Sequence, residues 1–548
     1  MTTVVVGSGF GAAVAAYRLA EAGEAVCVLE RGKAFPPGSF PRTPHDMSRA
    51  MWDPSEGLHG MYDTWAFKHL DALVASGLGG GSLIYANVLL RKDPEWFTDP
   101  AMVGTGYRRW PITYADLEPH YDNVESMLMP AALPRSEGGP YALDKTRVLQ
   151  TAAMQAGLEW QPVPLGVRFS NIDKPPVPGE ELTLAPYGNI HNRPRSTCRL
   201  CGECDIGCND GAKNTLDHTY LSAAAHAGAV IRTRSEVRGI ARRTDGRFDV
   251  TYVEHAPANE GQLTRTADLP QRAMTADRVV LGAGSLGSTY LLMKNRAALP
   301  GLSSALGSRM CGNGDFLGFL LNAKEADGSP RLVRGERGPV ITSTVRVEDG
   351  NIGAYIQDAG FPAFMAWMIE SGRPTSAARR VLAVVWRRMT SLLRREWNPQ
   401  LGADLQHLIG SAANSSTSMP LLGMGRDTPD GTYGLRKDRL TCDWKLDRST
   451  AHFARAESTM RVIADAANAD YVANPSWLFR RVVTVHPLGG CPIGATAAEG
   501  VVDPTGQAHG VPGLWVVDGA ALPGPVGPNP SLTIAAFADR AAERMLHQ

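Results

Sequence analysis

The sequence has no excess of either charge: 55 Lys and Arg offset 55 Asp and Glu across 548 residues. That balance gives no electrostatic footprint for nucleic acid, and no nucleic-acid partner is expected. Long apolar runs are also missing. No stretch approaches the roughly 18 residues that a spanning helix needs, so no transmembrane segment is expected. The first strand-like run starts almost at Met1, leaving no room for the parts of a secretory signal, and a cytoplasmic protein is expected. The sequence shows no internal repeat. Cysteines are scarce, eight in all, yet four of them crowd into positions 198–208. In a reducing compartment, disulfides are the weaker reading of that crowding.

What is present is an ordinary globular composition, 43% apolar and 20% charged. The length favours two intimately packed domains over one. Glycine is abundant, with 58 residues, and clusters after apolar runs, as tight turns against a ligand would. The first cluster opens the chain. A strand is expected over Thr3–Val6, then the turn Gly7-Ser8-Gly9-Phe10-Gly11-Ala12, a helix over Ala13–Ala22, and a second strand over Ala25–Leu29 that ends at Glu30. Glycines in such a unit permit a tight turn and let backbone approach a pyrophosphate at the helix N-terminus. Glu30 then stands where an acid can bind a ribose hydroxyl. Three further glycine segments follow apolar runs: Gly77–Ser82 after Leu70–Ala75, Gly282–Gly287 after Arg278–Leu281, and Asp518-Gly519 after the strand-like Leu514–Val517. Segments so far apart serving one ligand imply a discontinuous cofactor domain.

Near the C-terminus the chain reads Val485-His486-Pro487-Leu488-Gly489-Gly490-Cys491, and Asn529 follows 43 residues after His486 within Gly527-Pro528-Asn529-Pro530-Ser531. Oxidising an alcohol removes a hydroxyl proton and a hydride from one carbon. A histidine titrates near neutrality and suits the proton, by a base effect of about 10²–10⁴-fold. An asparagine amide can donate to the same oxygen and orient the C–H bond.

These pieces together resemble the glucose–methanol–choline (GMC) flavin oxidoreductases, and within them the cholesterol oxidase branch. The resemblance rests on Gly7, Gly9 and Ala12 with Glu30, on Gly79-Gly80-Gly81-Ser82, and on Leu216-Asp217-His218-Thr219-Tyr220-Leu221. It extends to Leu281–Ser288, to His486–Gly490, and to Val517-Asp518-Gly519 followed by Gly527–Ser531. It implies an α/β fold, a Rossmann-like FAD-binding domain with an interleaved α+β substrate domain built on an antiparallel sheet. The FAD domain would take residues 1–45, 75–100, 195–300 and 480–548, and the substrate or cap domain 46–74, 101–194 and 301–479. Non-covalent FAD would lay its ADP half on Gly7, Gly9, Gly11 and Glu30, with backbone near Val237 against the adenine and Phe10, Ala12 and Arg31 also in the cofactor set. Gly79, Gly80, Gly81, Ser82, Asn87, Gly284, Asp518, Gly519, Asn529, Pro530 and Ser531 would complete the cofactor set. His486 and Asn529 would be the catalytic pair, acting on a lipophilic small-molecule alcohol such as a sterol or terpenoid. Where the family commonly has Asn-Gly after the Gly-Ser turn, this chain has Tyr85-Ala86, with Asn87 next. The glutamate that this branch uses to move a double bond has no motif here; Gln357 and Asp358 stand nearest its region.

Cys198-x₂-Cys201-x₂-Cys204-x₃-Cys208 has the spacing of half a bacterial-type ferredoxin site. An iron–sulfur cluster of three or four irons is one reading, with Cys208, a distant residue such as Cys491, or nothing as the fourth ligand. Zinc, a disulfide and free thiols are the others; zinc knuckles normally stand further apart. With a cluster present, an electron acceptor protein or quinone would be a partner. Residues 376–397 read as a basic amphipathic helix, either packed on the substrate domain or lying against a membrane surface.

Overall fold

The computed structural model describes residues 1–97, 106–134, 138–349, 352–363, 365–366 and 413–548. Val4, Val5 and Val6 are buried without alternation, as in a strand covered on both faces. That strand, Thr2–Val6, is the centre of a five-stranded parallel sheet. The order is Leu514–Val516, Arg278–Leu281, Thr2–Val6, Ala25–Leu29, Val230–Arg232. Register levels the strands at one end: Val6 pairs with both Leu29 and Leu281, and Leu281 with Val516. The next residues in each strand are Gly7, Glu30, Gly282 and Val517. The glycine turns therefore leave from the carboxyl edge of a single sheet, where open α/β folds bind their ligands. The helix Phe10–Glu21 packs on this sheet and against the helix Ser531–Leu546.

The first helix starts at Phe10 and not at Ala13, because Ala13 N–H already donates to the Gly9 carbonyl. Composition alone missed this, since residues of the glycine turn lie inside the helix.

A second, antiparallel sheet has six strands in the order Asp470–Ala473, Phe316–Leu321, Met419–Gly425, Ile352–Asp358, Ser343–Asp349, Glu159–Pro162. Phe316–Leu321 alternates buried and half-buried positions, the period of two expected of a sheet with one packed face. Thr450–Ala466 covers that face with Phe453, Met460 and Ile463. Between the two halves a small sheet sets Val482–Thr484 parallel to Leu70–Ala75. Parallel pairing sends both chains out at the same end, one into Gly77–Ser82 and the other into His486.

Among the described residues no helix is long and apolar enough to cross a membrane. The amphipathic stretch 376–397 lies outside the described residues.

Candidate active site

The glycines of the first turn are required for different reasons. Gly7 adopts φ +95°, and a Cβ there would lie 2.4 Å from the Gly282 carbonyl oxygen. Gly11 brings its helix against the opposite strand, its Cβ position falling 2.0 Å from the Val517 carbonyl oxygen. Gly9 answers to neither need. Its backbone, φ −72° and ψ −174°, is open to any residue, and a Cβ would meet nothing nearer than 3.8 Å. The open side of Gly9 adjoins the N-terminus of Phe10–Glu21, which has no side-chain cap although Phe10, Gly11 and Ala12 are buried. Buried, uncapped N–H groups at a helix start suit a phosphate.

Side chains tie the turns together. Glu30 accepts from Ser8 Oγ at 2.6 Å and from Gly32 N–H at 2.8 Å, and Ser8 Oγ accepts from Gly79 N–H at 3.0 Å. Asp518 accepts from Gly284 N–H at 2.9 Å, Ser288 Oγ at 2.5 Å and Ala520 N–H at 2.9 Å; burial pushes its carboxyl up to about 6. Val237 lies on the strand Ser235–Arg242, which starts with Ser235 N–H donating to the Glu30 carbonyl. Arg31 is held by Asp63 at 2.6 Å. Gly80 sits on Gly9, a Cβ there falling 2.6 Å from Gly9 Cα, while Gly81 faces open space.

Several buried polar atoms here have no protein partner. Asn87, fully buried at φ +70°, leaves both amide atoms unpaired. Its neighbour Val88 accepts from Ser531 Oγ at 3.3 Å, which places Asn87 beside the uncapped start of Ser531–Leu546 at Asn529-Pro530-Ser531. Asp217 Oδ1, next to Gly79, and His218 Nδ1 are also unpaired, and burial pushes His218 down to about 4. His191 Nε2 meets Asp217 Oδ2 at 2.6 Å. Buried polar groups without partners are rare in proteins, and they suit an extended dinucleotide whose phosphates, hydroxyls and ring edges supply the partners. The donor set therefore fits FAD.

His486 and Asn529 are each gripped by one residue of the six-stranded sheet or its lead-in. His486 Nδ1 lies 2.7 Å from Asp315 Oδ1. Asp315 is held by Thr484 Oγ1 at 2.8 Å, Val485 N–H at 2.9 Å and His486 N–H at 3.2 Å, all on Oδ2. Asn529 Oδ1 accepts from Gln357 Nε2 at 2.9 Å. Asn313, two residues before Asp315, accepts from Val526 N–H at 2.8 Å and Gly527 N–H at 3.0 Å and donates to the Pro528 carbonyl at 3.0 Å. One short segment thus contacts the histidine and the loop that carries the asparagine. Lys92 also fixes that loop, donating to the Pro525 and Val526 carbonyls.

Asp427 closes the group. It accepts from Gly312 N–H at 2.7 Å, and burial, with Asp315 nearby, pushes it up to about 7. Its ordinary value is 3.8, so the native state holds a proton that the unfolded chain releases, and this contribution to stability falls as pH rises from about 4 to 7. Asp427→Asn is expected to flatten that decline, as read by thermal unfolding across the interval.

No disulfide joins any of the eight cysteines. Cys198, Cys201, Cys204 and Cys208 line one recess together with Lys213, whereas Cys491 lies in the main core beside Thr289.

Asp315, Asn313, Gln357 as an orienting group, and Ser8 were not assigned roles from sequence. Asp315, Asn313 and Gln357 sit in no recognisable motif. Only Ser8, inside the first glycine turn, had a local signal.

Residues 185–301 and 431–538 match family models described as GMC oxidoreductase. A cholesterol oxidase of Mycobacterium tuberculosis is 32% identical over 560 residues, spanning 98% of this chain and 90% of that protein. One of Acinetobacter baumannii is 28% identical, spanning 98% and 93%. Among solved structures, pyridoxine 4-oxidase from Mesorbium loti matches with a TM-score of 0.58 at 17% identity, over 100% of this chain and 99% of that one, a likeness of fold. The chain belongs to the GMC oxidoreductase family of FAD-dependent alcohol oxidoreductases.

Proposed function

We propose that the protein oxidises the CH–OH group of a bulky, apolar alcohol, sterol- or terpenoid-like, to a ketone or aldehyde. The observation that carries this reading is the pairing of His486 with Asp315 and of Asn529 with Gln357. Asp315 occupies Nδ1 of the imidazole, so the tautomer protonated at Nδ1 is favoured and Nε2 is left to accept the hydroxyl proton. Gln357 occupies the amide oxygen of Asn529, so the NH₂ group is turned toward the substrate oxygen as a donor. When bound, FAD supplies the hydride acceptor. Asn87, with both amide atoms unpaired, and the uncapped starts of Phe10–Glu21 and Ser531–Leu546 would hold it. Asp518 would brace the cofactor loops through its bond to Gly284 N–H.

A small aromatic cluster packs beside this loop. Trp96, Tyr355 and Met424 pack together, and Trp96 lies so close to Gly527 that a Cβ there would fall 1.9 Å from its ring. The cholesterol oxidase relatives support the sterol class. Gln357 is an amide, and Asp358 faces the other side of its strand, where Thr342 and Ser343 donate to it. Neither offers a free carboxylate to move a double bond.

The test is an anaerobic absorption spectrum of the FAD-loaded enzyme before and after sterols, terpenols and a small polar alcohol. Loss of the flavin band with sterols or terpenols is expected; loss only with the polar alcohol would overturn the substrate class. Asp315→Asn is expected to lower kcat by at least about 10²-fold, because an amide can donate to Nδ1 and shift the imidazole proton to Nε2. FAD content should be unchanged. Retained kcat with a raised KM would instead make Asp315 a binding residue.

A further inference from the structure

We infer that Cys198, Cys201, Cys204 and Cys208 hold an iron–sulfur cube that carries electrons away from the flavin. The four thiols come from one eleven-residue stretch and line one recess. The chain between and just after them turns sharply, with Leu200, Gly202, Gly207 and Gly211 at φ values of +63°, +69°, +86° and +63°. Such turns aim successive N–H groups inward, the arrangement that cradles anions and many iron–sulfur sites. Two already point at sulfur: Leu200 N–H lies 3.4 Å from Cys198 Sγ, and Ala212 N–H lies 3.3 Å from Cys208 Sγ. Hydrogen bonds to ligand sulfurs tune such clusters.

The spacing of the sulfurs argues against a single metal ion. Four thiolates at about 2.3 Å from one zinc must stand roughly 3.8 Å apart. Among the described residues, the one set of three ligating atoms mutually within 4.8 Å is His191, Asp217 and His218. No three of these cysteine sulfurs converge that tightly. A cube binds one thiolate at each iron corner and so takes them further apart.

Lys213 joins this recess to the flavin loop. It is fully buried, and its ammonium donates to the Cys204 carbonyl at 2.9 Å and to the Tyr85 and Leu83 carbonyls at 2.9 and 3.0 Å. Leu83 and Tyr85 closely follow the Gly79–Ser82 turn. One lysine head group thus spans the gap between the cysteines and the cofactor turn, and its charge offsets that of a thiolate-ligated cluster.

Alcohol oxidation to a carbonyl yields two electrons and two protons. A cluster passes electrons singly, so each turnover would reduce two molecules of a one-electron acceptor protein, with both protons going to water. The inference rests on the alcohol-oxidising reading only for the source of the electrons; the metal site stands apart from it.

The test is iron, zinc and acid-labile sulfide analysis of the holoenzyme purified without oxygen, with its electron paramagnetic resonance spectrum. About four irons and four sulfides per chain are expected. Cys204→Ser should lose at least half the iron and keep its FAD, while Cys491→Ser should lose neither. Cys201→Ser, at a half-buried position, replaces Cys204→Ser if that variant fails to fold. Protein that stays iron-free after reconstitution with ferrous iron and sulfide, or that carries zinc, overturns the inference. A cluster signal that appears when alcohol is added confirms the electron route, and bleached flavin beside an unreduced cluster overturns it. Failure of every alcohol to bleach the flavin would sink the proposed substrate class and leave the iron result standing.

Discussion

His486→Ala is expected to slow alcohol-driven flavin reduction by about 10²–10⁴-fold, the usual value of a positioned base. The enzyme should still fold and hold FAD. Asp315 loses one partner but keeps Thr484 Oγ1 and two backbone N–H donors, so the stability cost is about 1 kcal/mol. Stopped-flow absorbance under anaerobic conditions gives the rate of the alcohol half-reaction alone. His486→Gln separates two roles of the imidazole. A glutamine can still hydrogen bond to the hydroxyl but cannot take its proton near neutral pH. Equal losses in both variants identify a base, whereas a glutamine enzyme near the wild-type rate identifies a donor. An alanine enzyme at the wild-type rate would remove His486 from the chemistry.

The other large effect is expected at the first turn, where two glycines should fail differently. Gly9→Val should cost the apoprotein far less stability than Gly11→Val, since neither the backbone conformation at Gly9 nor the space at its Cβ position asks for glycine. Its FAD affinity should fall by at least about tenfold, or 1.4 kcal/mol, if the open side faces the pyrophosphate. Gly11→Val should damage both. Its side chain would press on the Val517 carbonyl, a backbone atom that cannot swing away, at a cost of about 1–3 kcal/mol or more. Melting temperatures of the two apoproteins, with FAD titrations, check the pair. A Gly9→Val protein that binds FAD as tightly as wild type would mean that no phosphate lies there.

The parallel sheet was legible because its signals are local. Val4-Val5-Val6 with the Gly7 turn, and Arg278–Leu281 with the Gly282 turn, each state strand, bend and ligand approach within about ten residues. His486 and Asn529 were legible as types in a resembling motif. Their orienters were not. Asp315 and Gln357 lie 171 and 172 residues from their partners, and only the register of the antiparallel sheet brings them there. An aspartate before a strand and a glutamine within one look alike whether they face solvent or a catalytic side chain. Ser8 was obscured for the opposite reason, since a small residue between two glycines reads as part of the turn. The amphipathic stretch 376–397 had a clear sequence pattern, and it falls outside the described residues.

The grip of the six-stranded sheet on His486 and Asn529 constrains how the enzyme can breathe. Asp315 and Gln357 belong to that sheet or its immediate lead-in, and His486 and Asn529 belong to the C-terminal segments beside the parallel sheet. Asn313 adds backbone clamps across the same boundary. A hinge that swung the sheet outward would release the imidazole tautomer and the amide orientation together. Opening by rigid-body separation of the sheet would therefore break the proposed site's two orienting contacts at once.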